Sequence, residues 1–269
     1  MQRWLLGVVV GALAVLQVSA SFARETVFFV GAHPDDLENC LGLMLRMKVK
    51  YDIQMVDFTR GEGGLGKDGY LDGSTASTRV AEEREVAKTF GCEPVFLTQV
   101  NYRGRAYAEP YVTAEIEKLL VERKPRAVFV NWPVDGHPDH VQCAAATLHA
   151  VYNVKRDHKF TTEVYFYEEP PDEGQNFTPK AYYVDVTDQM DEVYALCCKW
   201  ACQNGARIGT RKRGRLAKHG ANAPKPVAYA EVYTTFTGEP MPDGVLAEFA
   251  VSSEMKPVVW KSEMGRLCL

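Results

Sequence analysis

Two short runs without a polar side chain, Val27-Phe28-Phe29-Val30 and Ala127-Val128-Phe129-Val130, limit the fold of this chain more than any other feature. A strand with one wet face alternates apolar and polar residues, so an unbroken apolar run belongs to a strand covered on both faces, as in a parallel sheet between two helical layers. From Glu25 onward such runs alternate with longer helical patterns. Strands are expected over Thr26–Val30, Ile53–Thr59, Pro94–Leu97, Ala127–Asn131, Glu163–Tyr167 and Tyr182–Val186, and helices over Glu38–Lys48, Ser77–Phe90, Val112–Arg123, Asp139–Tyr152 and Gln189–Ala201. This alternation predicts an α/β fold, a doubly wound and mostly parallel sheet with helices on both faces. Ligands in such sheets sit beyond the carboxyl ends of the strands, where the strand order reverses.

The 269 residues, 46% of them hydrophobic, suffice for one large core. No internal repeat or low-complexity linker divides them, so a single domain is expected over residues 24–250, with a patternless tail over 251–269. Residues 1–23 are set apart. A short basic start, Met1-Gln2-Arg3, precedes an apolar stretch from Trp4 to Leu16, and the small-x-small patterns Val18-Ser19-Ala20 and Ser21-Phe22-Ala23 follow. That order describes an export signal whose apolar run is too short to span a bilayer comfortably. The mature chain is thus expected in the periplasm or outside the cell, with no membrane span once the signal is removed. An uncleaved anchor is the alternative.

Seven irregularly spaced cysteines do not form a disulfide framework and are read as small buried apolar side chains. The net charge of −4 argues against a general nucleic-acid binder. One basic cluster, Arg207, Arg211, Lys212, Arg213, Arg215 and Lys218, reads either as a solvated helix face or loop, or as a surface for an anionic substrate or polymer.

Charge is concentrated where the fold class places ligands. The first apolar run leads into Gly31-Ala32-His33-Pro34-Asp35-Asp36-Leu37-Glu38, and Ala127–Asn131 leads into Asp135-Gly136-His137-Pro138-Asp139-His140. Either cluster alone reads as helix capping beside a satisfied histidine. Two of them, each with His-Pro-Asp after an apolar strand, point to a shared site if the strands are neighbours. Residues three apart at a helix entry face the same way, so His33 and Asp36 can hold one ion while Asp35 points elsewhere, and His137 and His140 have the same relation. Imidazole with carboxylate suits zinc, and a catalytic zinc keeps three protein ligands and an open position. One of His137 and His140 is then a ligand and the other a supporting or catalytic group, and the spacing leaves open which.

The segments His33-Pro34-Asp35-Asp36-Leu37-Glu38 and His137-Pro138-Asp139-His140 together resemble the LmbE-like (PIG-L-type) zinc N-deacetylase family. Thr59-Arg60-Gly61-Glu62, Thr78-Arg79 with Glu82-Glu83, Tyr183–Asp188 and Tyr229-Ala230-Glu231 resemble further family segments in family order, so the likeness runs from about residue 26 to 236. Within the family the chain is most similar to the branch of bacillithiol-pathway deacetylases, which act on an N-acetylglucosaminyl malate. The resemblance implies a Rossmann-like fold, Zn2+ as cofactor, and removal of the acetyl group from a small molecule or glycan bearing N-acetylglucosamine. It assigns zinc to His33, Asp36 and His140, the general base to Asp35, and oxyanion stabilisation to His137 oriented by Asp139. Arg79 and Arg103 are candidates for gripping sugar hydroxyls or an attached anion, with a salt bridge to Glu82, Glu83 or another acid as the alternative. The chain departs from the family at Val100-Asn101-Tyr102-Arg103-Gly104, where a Leu-Pro-Asp-like stretch is common, and at Gly136, where a basic or polar residue is common. Both positions border the expected substrate pocket.

Two rival classes are weaker. Gly61-Glu62-Gly63-Gly64-Leu65-Gly66 matches a dinucleotide fingerprint after a strand, but the residues that should open its helix, Lys67 to Gly73, read as loop. A non-catalytic sugar-binding module on the same fold would not need Asp35, and a zinc amidohydrolase of another acyl-amide would keep the same residues. A homo-oligomer is compatible with the sequence, which does not specify the assembly.

Overall fold

The seven strands of the computed structural model form one sheet, β3-β2-β1-β4-β5-β7-β6, built from β1 (Thr26–Gly31), β2 (Asp52–Asp57), β3 (Val95–Phe96), β4 (Ala127–Asn131), β5 (Glu163–Tyr167), β6 (Tyr182–Asp185) and β7 (Ala230–Thr235). The structure describes residues 24–63, 74–99, 110–170, 177 and 180–251. The segment read as an export signal and Arg103, with the departing stretch around it, lie outside them, as do Gly64 and Gly66 of the fingerprint match. Strands β1 to β5 pair in parallel, while β7 runs antiparallel to both β5 and β6. The mostly parallel doubly wound sheet of the sequence reading is therefore present, with an antiparallel edge. Among the described residues no helix is long and apolar enough to cross a membrane.

Each apolar run is explained by two cores. Val27 and Phe29 of β1 enter one cluster, whereas Phe28 and Val30 enter the other. The first core lies under α1 (Leu41–Met47), α5 (Met190–Cys197) and α6 (Gly205–Asn222). The second lies under α3 (Pro110–Arg123) and α4 (Pro138–His158), while α2 (Ser74–Ala87) adds Val86 and Ala87 to the first. Register aligns Phe29 with Phe129 and Phe129 with Tyr165, and the rings stack at 4.6 and 5.0 Å between centroids. Offset aromatic stacking of this kind adds about 0.5–1.5 kcal/mol per pair beyond the area it buries.

Several elements differ from the sequence reading. The helix expected from Glu38 begins as a 3-10 turn over Asp36–Cys40 and becomes α1 only at Leu41, because the turn serves the backbone bonds around Asp36 described below. Helix α4 continues to His158, and α5 stops at Cys197. Cys40, Cys143 and Cys197 are buried and free.

The basic cluster lies on α6, which the sequence reading leaves between helix face and loop. Small residues allow this helix to dock closely: a Cβ at Gly209 would stand 2.8 Å from the Tyr194 ring, and one at Gly220 2.4 Å from the Val227 carbonyl. Much of its charge is turned inward. Lys212 is buried, with Nζ 3.0 Å from Glu231 and 3.6 Å from Glu38. Arg215 reaches Glu38 at 3.3 Å, and Arg213 pairs with Asp191. A general anion-attracting surface is thus reduced by the internal pairing of Lys212, Arg213 and Arg215. Glu231 in turn accepts the Gly42 and Leu43 N–H groups at 2.9 and 2.8 Å, placing a carboxylate at the N-terminus of α1. Lys212→Ala should leave Glu231 and Glu38 buried without their cation, and we expect a loss of ~3–5 kcal/mol, measured by denaturant unfolding. A loss below ~1 kcal/mol would mean that water replaces the lysine.

Candidate active site

Strands β1 and β4 are adjacent, and the sheet order reverses between them. The two charged segments that follow them consequently meet at one crevice, as expected at a topological switch point. His33, Asp36 and His140 are all buried there, with ligand atoms within 4.8 Å of one another.

Asp36 is placed by its own backbone turn. Its Oδ2 accepts the Ala32 and His33 N–H groups at 2.7 and 3.0 Å, and Asn131 at the end of β4 adds a bond at 3.3 Å. The approach requires Gly31, where a Cβ would stand 3.1 Å from Asp36 Cβ. These bonds occupy one carboxylate oxygen and leave Oδ1 directed at the crevice, 3.5 Å from His33 Nδ1 and 3.6 Å from His140 Nε2. The other nitrogen of each ring is engaged: His33 Nε2 lies 2.8 Å from Asp139 Oδ2, and His140 Nδ1 lies 3.1 Å from Asp135 Oδ2.

This donor set fits zinc. Bonds of ~2.0–2.1 Å at tetrahedral angles separate neighbouring ligand atoms by roughly 3.3 Å, close to the spacings seen. Each imidazole is oriented by a carboxylate on its far nitrogen, the usual outer support of a histidine ligand. Two other groupings, His33 with His137 and Asp139, and Asp135 with His140 and Glu169, also bring ligand atoms within 4.8 Å. In both, the carboxylates already bond ring nitrogens or amides directly: Glu169 is held between the Asn39 and Asn131 amides. Those acids read as supports.

Electrostatics agree. Burial pushes the Asp36 carboxyl up, but His140 and His33 outweigh it and hold the group well below the usual carboxylate range. Burial pushes the His33 and His140 rings down, and the surrounding carboxylates, Asp36 first, more than reverse this. The cluster therefore binds positive charge, and a metal entering it would displace protons.

Asp35 lies beside the cluster, partly exposed, at a φ of 114°. Burial pushes its pKa up to about 6 against the lowering effect of Arg79. His137 is the N-cap of α4, its Nδ1 accepting the Asp139 N–H at 3.3 Å, and its side chain is 30% exposed at the mouth of the crevice. Burial and the neighbouring rings of His33 and His140 lower its pKa.

One pairing differs from the sequence reading. Asp139 is expected there to orient His137, yet its carboxylate lies 2.8 Å from His33 and 4.0 Å from His137 Nδ1, because the first turn of α4 points it across to β1. For Arg79 the structure meets the alternative of a salt bridge to another acid: the side chain is buried, with Nη2 donating to the Pro34 carbonyl and to Asp35 Oδ1. Asp135, Asn131, Asn39 and Glu169 carry no role in the sequence reading. Asp135 falls within the quoted motif, and Glu169 follows a recognised strand, but their partners are distant in sequence.

The family model described as PIG-L, GlcNAc-PI de-N-acetylase, matches residues 28–151. The uncharacterized deacetylase YaiS of Escherichia coli is 25% identical over 137 residues, 49% of this chain and 70% of that protein. Among solved structures, the N,N'-diacetylchitobiose deacetylase of Pyrococcus horikoshii superposes with a TM-score of 0.64 at 21% identity, covering 80% of this chain and 84% of that one. The 4-carboxy-2-hydroxymuconate hydratase GalB of Pseudomonas putida superposes with a TM-score of 0.68 at 19% identity, covering 81% and 98%. The fold is thus shared with an enzyme of different chemistry and does not by itself name the reaction. These likenesses single out no branch, such as the bacillithiol-pathway enzymes. The family match spans both charged segments and the β1–β4 crevice they form, and across them the chain is similar to the PIG-L (LmbE-like) deacetylase family.

Proposed function

We propose that this deacetylase removes the acetyl group from an N-acetylglucosaminyl glycan or glycoconjugate outside the cytoplasm, with zinc held by His33, Asp36 and His140. The observation that carries the reading is the convergence of three ligand atoms, each with its opposite atom already bonded, next to the unliganded Asp35. Zinc bound there would supply an activated water and a polarised amide carbonyl. Asp35 accepts the proton of the attacking water and returns it to the departing nitrogen, so acetate and a free amine leave together. With Nδ1 accepting a backbone N–H, neutral His137 carries its proton on Nε2, where it donates to the carbonyl oxygen as negative charge develops. Asp139 and Asp135 hold the rings of His33 and His140 in the tautomers that leave Nδ1 and Nε2 free. The sugar class is supported by the deacetylase of diacetylchitobiose on the same fold and by the description of the family model. Export is supported by the order of residues 1–23.

Amine release with added zinc, measured across free N-acetylglucosamine, chito-oligomers, muropeptides and glucosaminyl conjugates, tests the reading. No release from any of them would favour a sugar-binding module. On an active substrate, His137→Ala should retain its metal and lose ~10²- to 10³-fold in turnover, since one donor to the oxyanion is missing. A metal-free His137→Ala protein would place this ring among the ligands.

A further inference from the structure

We infer that Arg79 is a positioning residue for Asp35 and that it does not contact the substrate. The inference rests on the reading of Asp35 as the general base. Asp35 occupies a positive φ, 114°, which disfavours any residue with a Cβ. One guanidinium nitrogen spans this residue, donating to the carbonyl before it and to its own carboxylate. A single side chain thereby ties the strained peptide to the direction of the acid.

Arg79 is confined on its other sides. Its side chain is 5% exposed, so it presents little surface to a ligand in the crevice. Gly61, at a φ of 70°, lies against it: a Cβ there would stand 2.5 Å from Nε. Asp57 at the end of β2 and Glu83 one turn along α2 are both completely buried. Trp200 Nε1 donates to Glu83 Oε2 at 2.6 Å, whereas both Asp57 oxygens, Glu83 Oε1 and Arg79 Nε have no hydrogen-bond partner among the described residues. Arg79 acts electrostatically on Asp35, Asp57 and Glu83 alike. Burial pushes Glu83 up to about 8 and Asp57 well above the usual range.

The test uses full-length Arg79→Ala, Arg79→Lys, Asp35→Asn and the Arg79→Ala/Asp35→Asn double variant, with amine release and zinc content measured together. Arg79→Ala should keep its zinc, hold KM within about twofold and lose ~10- to 100-fold in kcat, with partial rescue by added guanidinium. In the Asp35→Asn background the same change should cost nothing further, because the two residues act as a unit. Chelator-treated protein supplies a readout free of activity: the unfolding midpoint of the double variant should shift by less than the sum of the single shifts. If Arg79→Ala does not fold, Arg79→Lys keeps the charge without the planar fork and should again lower kcat at constant KM. A raised KM with unchanged kcat, a full further loss in the Asp35→Asn background, or additive midpoints would each overturn the inference. Wild-type protein that released no amine would instead defeat the proposed function, while the midpoint cycle would still report on the pair.

Discussion

Asp35→Asn is expected to fold, to bind zinc at wild-type occupancy and to turn over ~10²- to 10⁴-fold more slowly, the usual value of a positioned proton acceptor. The substitution keeps the shape of the side chain and an oxygen for Arg79, but the amide cannot take a proton from water. It also retains the positive φ, which asparagine tolerates better than most residues. Because Asp35 points to Arg79 while Asp36 Oδ1 faces His33 and His140, loss of the acid should leave the metal cluster intact. Metal analysis beside steady-state kinetics decides the matter. A fully active Asp35→Asn protein would move the base elsewhere, and a metal-poor one would make Asp35 a ligand.

The neighbouring residue should behave in the opposite way. Asp36→Ala removes the oxygen that faces both imidazoles and also the acceptor for Ala32 N–H, His33 N–H and Asn131. Disturbing only an outer partner of a ligand typically costs ~10- to 100-fold in metal affinity, so loss of the ligand itself should exceed that range. We expect zinc content and turnover to disappear together. Wild-type protein should gain stability with added zinc, about 2.7 kcal/mol at a hundredfold excess over Kd, and the variant should gain almost none. Calorimetry with and without metal reads this directly. A variant that kept near-stoichiometric zinc would show that His33 and His140 hold it with a different third ligand, for which the nearby carboxylates of Asp139, Asp135 and Glu169 are the candidates.

Before either residue could be placed, the sequence had already determined the layers and the address of the site. Phe28 and Phe29 are adjacent apolar residues that enter opposite cores, so the unbroken run carried its own evidence for a two-sided sheet. The His-Pro-Asp segments were legible because ligand spacing at a helix entry is local chemistry, each contained in one short stretch of chain. That β1 and β4 are neighbours entered the sequence reading only as a condition, and the sheet order meets it.

What the tertiary structure alone decided is which acid serves which ring, and where the cations go. Asp139 lies two residues from His137 in the chain, yet it bonds His33, which is 106 positions away. Arg79 on α2 bonds Asp35, 44 positions earlier in the chain, and Lys212 is buried between Glu38 on the turn before α1 and Glu231 on β7. Helix α6 was unreadable because its arginines and lysines resemble a solvated surface, and the glycines that let it dock matter only against Tyr194 and Val227. A charged side chain has no periodic signature of its partner. Burial makes an unpaired charge too costly to leave, but the partner can come from any element that packs close enough, and only the assembled sheet and helices bring those elements together.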